Sequence, residues 1–239
     1  MGVTSGIWLP SQYNGTRRVT IRVSQLASDG VVKPSEEKRI EADWIEFLSQ
    51  RPTRVKDLTI WSRVKQEVVD ALSGQSQLQK LNLKWGSYSD LTSIGQLSKL
   101  TELELGGARK VADLKPLSVL TSLRMLVVSE SHEVTDLSPI SKLTGLTSLT
   151  YGNTSLGSDK IVHIQSLEWI EPLVNLRNLQ LPGTSLAGLD LAVLARLPKL
   201  KTLSVPIHAR HRAQIFALAE TSKPFRELVK TYEWIDARK

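Results

Sequence analysis

Leucines return along the middle of this chain at a nearly fixed interval. "VKDLTI" (55–60), "LQKLNL" (78–83), "LTELEL" (100–105), "LRMLVV" (123–128), "LTSLTY" (146–151), "LRNLQL" (176–181) and "LKTLSV" (200–205) each read apolar-x-x-Leu-x-apolar. Their central leucines are Leu58, Leu81, Leu103, Leu126, Leu149, Leu179 and Leu203, separated by 23, 22, 23, 23, 30 and 24 residues. Alternation inside each hexamer predicts a short strand with one apolar edge, because successive side chains on a strand point to opposite faces. Self-similarity at this period predicts a solenoid, in which each turn adds one strand and buries its edge only against its neighbours. The return segments agree, since "VADLKPLSVLTSL" (111–123) and "VTDLSPISKLTGL" (134–146) are nearly superposable.

One turn is longer than the rest. "YGNTSL" (151–156) matches "LPGTSL" (181–186) place for place, and "LEWIEPLVNL" (167–176) matches the usual return. The surplus therefore falls within 157–166, "GSDKIVHIQS", just after a strand and on the edge beside the sheet. Loops on a rigid scaffold commonly carry recognition, and Asp159, Lys160 and His163 are its candidate exposed groups. Ile161, Val162 and Ile164 fit equally well a small satellite core tucked under the loop.

Terminal turns of a solenoid need lids. At the front, "RRVTIRV" (17–23) alternates like a strand. "SEEKRIEADWIEFLSQ" (35–50) then reads as an amphipathic helix with Ser35 as N-cap and Trp44, Ile45 and Leu48 on one face. "RVKQEVVDALSGQ" (63–75) reads as a helix on the outer side of the first turn. At the back, "ARHRAQIFALAET" and "KPFRELVKTYEWIDARK" read as two helices split by Pro224. The expected organisation is an N-terminal strand-and-helix cap over 1–54, a solenoid of about seven turns over 55–205, and a C-terminal helical cap over 206–239.

The hexamers and their Asp-Leu-x-Pro-Leu returns closely resemble the roughly 22-residue repeats of the internalin family. The resemblance covers roughly residues 55–205. It implies an α/β fold: a leucine-rich-repeat solenoid, a curved horseshoe with one short parallel strand per repeat and a cap at each end. It implies no particular function, because fold and function separate readily. Two departures stand out. The family usually places Asn three residues after the strand's last leucine, where this chain has Ala108, Ser131, Thr154 and Thr184. The secretion signal and wall anchor of surface internalins are also missing from this sequence.

Composition narrows the class without naming a function. The chain is 41% apolar and 23% charged, ordinary for a soluble globular protein. No apolar run reaches the ~18–20 residues of a membrane span. No basic segment followed by an apolar one opens the chain, so the expected location is the cytoplasm unless a leader has been trimmed. The absence of cysteine excludes disulfides, thiolate metal sites and a cysteine nucleophile. The formal charge of +7 is spread as excesses of +2 over 1–54, +2 over 55–205 and +3 over 206–239. A nucleic-acid footprint would more often concentrate it.

Catalytic motifs are missing as well. There is no Gly-rich phosphate loop, no Gly-x-Ser-x-Gly elbow and no His-Glu-x-x-His. His208 and His211 share a helical face, but Arg210 and Arg212 crowd it, so a solvated basic helix is expected in place of a metal site. Asp90, Asp113 and Asp136 recur at 23-residue spacing and would stack in line. Each belongs to the repeat motif, and a role in the turn is expected. No enzyme activity, cofactor or metal is expected.

What remains is a surface. The x positions of each hexamer form outward columns: Asp57, Lys80, Glu102, Met125, Ser148, Asn178, Thr202; then Thr59, Asn82, Glu104, Val127, Thr150, Gln180, Ser204; then Trp61, Lys84, Gly106, Ser129, Gly152, Pro182, Pro206. Early turns present Trp61, Lys80, Lys84 and Trp85 beside Glu102 and Glu104, followed by Met125 and Val127. Aromatic and apolar groups set among charges compose a protein-binding hot spot. The alternative for Trp61 and Trp85 is that they fold back onto a cap or a neighbouring turn. Tyr151 occupies an inward leucine slot and is expected in the core. The expected function is a non-catalytic module, monomeric in isolation, that recognises a protein partner by its concave face and the 157–166 loop. An inhibitor or immunity-type protein is one concrete form of it. The alternatives are nucleic-acid binding through Lys80, Lys84, Arg109, Lys110 and the basic C-terminal helices, or a fragment of a surface adhesin.

Overall fold

The computed structural model describes residues 6–50, 52–154 and 160–238. Strands β1 (Arg18–Ile21), β2 (Asp57–Val64), β3 (Lys80–Gly86), β4 (Glu102–Leu105), β5 (Met125–Ser129) and β6 (Ser148–Gly152) lie side by side in chain order. A two-residue strand β7 (Val162–His163) leaves this sheet, β8 (Asn178–Gln180) rejoins it, β9 (Thr184–Ser185) pairs with β7, and β10 (Thr202–Ser204) completes it. All pairs are parallel. The seven central leucines are mutual register partners, from Leu58 opposite Leu81 to Leu179 opposite Leu203. All seven are buried. One strand per turn, stacked in register around a leucine core, defines a leucine-rich-repeat solenoid.

The sheet starts one strand earlier than the seven hexamers imply. Val19 of β1 sits opposite Leu58, so the N-terminal strand extends the ladder itself. The helix α1 (Pro34–Gln50) then covers the first turn with Ile40, Trp44 and Leu48. Its start differs from expectation. The Lys33 carbonyl accepts the Glu36 and Glu37 amides, which puts Pro34 in the first helical position and Ser35 inside the helix. Proline at that position loses no hydrogen bond and has its φ preset. The Trp44 Nε1–H donates to the Trp8 carbonyl at 2.9 Å, fastening the cap to the N-terminal segment.

Return segments form short helical pieces on the opposite side of the coil. They are α2 (Gln66–Ala71), α3 (Thr92–Gly95), 3-10 turns at Lys115–Val119, Ser138–Lys142 and Glu168–Ile170, and α4 (Ala192–Ala195). The helix expected over 63–75 begins later, because Arg63 and Val64 prolong β2. The returns after α2 are each opened by one side-chain acceptor, whereas α2 starts without one. Asp90 Oδ1 takes the Thr92 amide at 2.8 Å, Asp113 the Lys115 amide at 2.7 Å, Asp136 the Ser138 amide at 2.8 Å and Asp190 the Ala192 amide at 2.9 Å. In the long turn Ser166 Oγ does this for Glu168, at 3.1 Å. The recurring aspartates thus serve the turns, as their place in the motif implied. Where an asparagine ladder is missing, neighbouring turns bond directly. The Ala108, Glu130 and Asn153 amides reach the Ser129, Gly152 and Pro182 carbonyls, each at 2.8 Å.

The C-terminal lid is α5 (Arg212–Ala219) and α6 (Lys223–Asp236), with Pro224 in the first turn of α6. Phe225, Leu228 and Tyr232 close the core, and the Tyr232 hydroxyl donates to the His208 carbonyl at 2.8 Å. The basic segment before α5 is solvated at His208 and Arg210, as expected, but not at His211. His211 is buried, with Nε2 3.2 Å from the Leu186 carbonyl, because the lid must pack on the last turns. Among the described residues, no helix is long and apolar enough to cross a membrane.

Candidate protein-binding face

The outward columns take shape from the strand register. Asp57, Lys80, Glu102, Met125, Ser148, Asn178 and Thr202 face one another rung by rung, as do Thr59, Asn82, Glu104, Val127, Thr150, Gln180 and Ser204. On the first rungs the charges are matched internally. Arg18 Nε lies 2.7 Å from Asp57, and Lys80 Nζ lies 2.6 Å from Glu102. Asn82 Nδ2 donates to Glu104 at 2.6 Å. Partial burial among these neighbours pushes the Glu104 carboxyl above its ordinary pKa, since desolvation penalises the charged form. Met125 and Val127 are half-buried, whereas Asn178, Gln180, Thr202 and Ser204 stand exposed in a thinner, polar half of the sheet.

The third column does not continue as the alternation implied. Ser129 is buried, its hydroxyl against that of Thr154, and Gly152 is buried as well. The strands turn inward there because the backbones of successive turns close up. A Cβ on Gly106 would strike the Lys84 carbonyl, and one on Gly152 the Pro182 carbonyl.

At the front of the same column the sheet is irregular. Ile60 pairs with Leu83 and Arg63 with Trp85, so Trp61 and Ser62 together oppose Lys84 alone. Such a bulge re-aims side chains. It lets both Lys84 and Trp85 point outward beside Trp61 and Arg63, while Ser62 turns in and its Oγ accepts the Val23 and Ser24 amides at 3.0 and 3.3 Å. Trp61 is 44% exposed and Trp85 37%, so neither ring is folded away into a cap or the core. Each carries a cation. Lys84 Nζ sits 4.1 Å from the Trp61 ring centroid, and the Arg63 guanidinium 5.8 Å from that of Trp85. Arg63 was missed in the sequence, although the alternation of "WSRV" beyond the hexamer carries the signal.

The inserted loop divides into two parts. Asp159 lies outside the described residues. Val162 and Ile164 are buried, and β7 pairs Val162 with Thr184 and His163 with Ser185. Ile161, Lys160 and His163 remain exposed, and the Lys160 carbonyl accepts Asn153 Nδ2 at 2.7 Å. His163 borders a groove of about 470 Å³ whose walls include the rest of the loop over 164–166 and the return segments at 135–138 and 168–169. The geometry thus separates His163 from the tryptophans: it opens on the outer edge of the coil, away from the strand columns. Tyr151 is fully buried as expected, and burial raises its hydroxyl's pKa. Among the described residues, no three of His, Asp and Glu gather to hold a metal ion.

Fold and face together define a capped leucine-rich-repeat solenoid with a bulged, tryptophan-bearing edge on its sheet. Three solved leucine-rich-repeat structures are similar to it. They are internalin C2 of Listeria monocytogenes (22% identity, 72% of this chain and 78% of that one, TM-score 0.49), internalin F of the same species (18%, 84% and 71%, TM-score 0.37), and a leucine-rich-repeat protein of Leptospira interrogans (16%, 84% and 56%, TM-score 0.48). No family model and no curated protein sequence matches the chain.

Proposed function

We propose that this solenoid is a non-catalytic protein-binding module whose anchor is the front half of the sheet. The observation that carries this reading is the exposure of Trp61 and Trp85 side by side, above Lys80, Glu102, Glu104, Met125 and Val127. Tryptophan left in water forgoes about 2–3 kcal/mol that burial against a partner would return. A stacked sheet also loses little conformational freedom on binding, which favours selective association. Lys84 and Arg63 hold the two rings in place before a partner arrives. Covering a partner's working surface with such a face would make the protein an inhibitor, of which an immunity-type protein is one form. Lys160 and His163 belong to a second, outer-edge contact in this reading.

The test is affinity capture from the source organism with the native chain beside a Trp61→Ala/Trp85→Ala variant. A partner retained by the native chain and depleted about tenfold or more by the variant supports the reading. Equal recovery of every captured protein by both chains overturns it. Nucleic-acid binding predicts a different behaviour, a steep loss of affinity with added salt.

A further inference from the structure

Resting on that reading, we infer that the segment recognised at the bulged edge is an acidic one: a protein segment in which a carboxylate side chain stands next to an apolar one. The apolar residue would enter between the Trp61 and Trp85 rings. The carboxylate would be taken by Lys84 and Arg63.

Charge accounting on the face points to this chemistry. Arg18, Lys80, Arg22 and Arg109 are already matched, to Asp57, Glu102, Asp29 and Glu130 respectively. Arg63 and Lys84 are not: among the described residues neither has a carboxylate partner, and each is held against a tryptophan face instead. A guanidinium 5.8 Å from a ring centroid keeps its N–H donors available to a carboxylate. A stacked ammonium likewise keeps donors pointing away from the ring. Two cations are therefore pre-positioned with unused donors beside two partly exposed tryptophans on adjacent strands.

The same face disfavours a polyanion. Glu102 and Glu104 stand on the next strand, and Glu104 has an amide partner but, among the described residues, no cation. A phosphate backbone tracking across the sheet would meet those carboxylates, and like charges brought together at an interface are costly. A single carboxylate docked at the edge avoids them.

The experiment is selection of random dodecapeptides displayed on phage against the full chain. Peptides that also bind the Trp61→Ala/Trp85→Ala variant are discarded. Asp or Glu beside an aromatic or aliphatic residue should be enriched about threefold or more over the unselected library. A synthetic peptide of the enriched type should lose about tenfold or more in affinity for an Arg63→Glu/Lys84→Glu variant with an unchanged melting curve. Enriched peptides without acidic residues, or equal affinity for the charge-reversed variant, overturn the acidic assignment and leave the tryptophan anchor standing. Displacement of the peptide by short single-stranded DNA at physiological salt would assign the edge to nucleic acid. Recovery of no peptide specific to the native chain would remove the anchor reading and this inference together.

Discussion

Leu103 is fully buried between Leu81 and Leu126, and its loss would leave a hole the neighbouring rungs cannot refill. Leu103→Ala should cost about 2–5 kcal/mol in chemical denaturation. At the turns, single carboxylates act through pH. Asp90 is held below its ordinary pKa by the Thr92 hydroxyl and then the Thr92 amide, and Asp136 by the Ser138 amide and then its hydroxyl. Both values are lower folded than unfolded, so this stabilisation is complete above the ordinary carboxylate value of about 4 and fades as pH falls through the lower folded values. Asp90→Asn/Asp136→Asn keeps an acceptor oxygen and removes the titration. The variant's melting temperature should fall less steeply below about pH 4 than that of the native chain, and identical acid limbs would contradict the assignment. At this scale the sequence was informative wherever the repeat repeated. The aspartates, the inward Tyr151 and the outward Trp61 follow from position in the hexamer or its return. Ser62 and Arg63 continue the same alternation but lie past the hexamer. The bulge that lets both Lys84 and Trp85 point outward did not emerge, because it depends on how two strands pair.

Strand order and register follow from a period close to 23 residues, since a one-residue slip would turn every leucine outward. Three element-level features needed the folded chain. β1 joins the sheet through pairing with β2 across 39 residues of separation, the Asp57 to Arg18 contact being one instance. The first turn of α1 is set by Pro34 and the Lys33 carbonyl in place of Ser35. The inserted loop makes its own small ladder with β9, which joins segments from two different turns. The apolar residues of that loop accordingly split by role. Val162→Ala removes two buried methyl groups and should lower stability by about 1.5–2 kcal/mol. Ile161→Ala, at an exposed position, should change it by less than about 0.5 kcal/mol. Equal effects of the two in thermal or urea melts would show that the satellite core is drawn wrongly.

Across the whole molecule, the C-terminal lid and the proposed recognition edge lie at opposite ends of one stack. The C-terminal half of the sheet is polar and exposed, and its last turns depend on the lid formed by α5 and α6, fixed by Phe225, Tyr232 and the Arg212–Asp236 ion pair at 2.8 Å. The N-terminal half combines the bulge, both tryptophans and the half-buried columns from Asp57 to Val127. A solenoid couples turns only through their neighbours. Phe225→Ala in the lid should therefore lower the melting temperature while leaving partner affinity at the front edge unchanged below the transition. The measurement that bears most directly on the proposed anchor is amide hydrogen exchange of the captured complex against the free chain. Binding at the tryptophans should slow exchange over Asp57–Val64 and Lys80–Gly86, the two strands that meet at the bulge. Protection confined to the return segments, the outer-edge groove beside His163 or the C-terminal lid would contradict it.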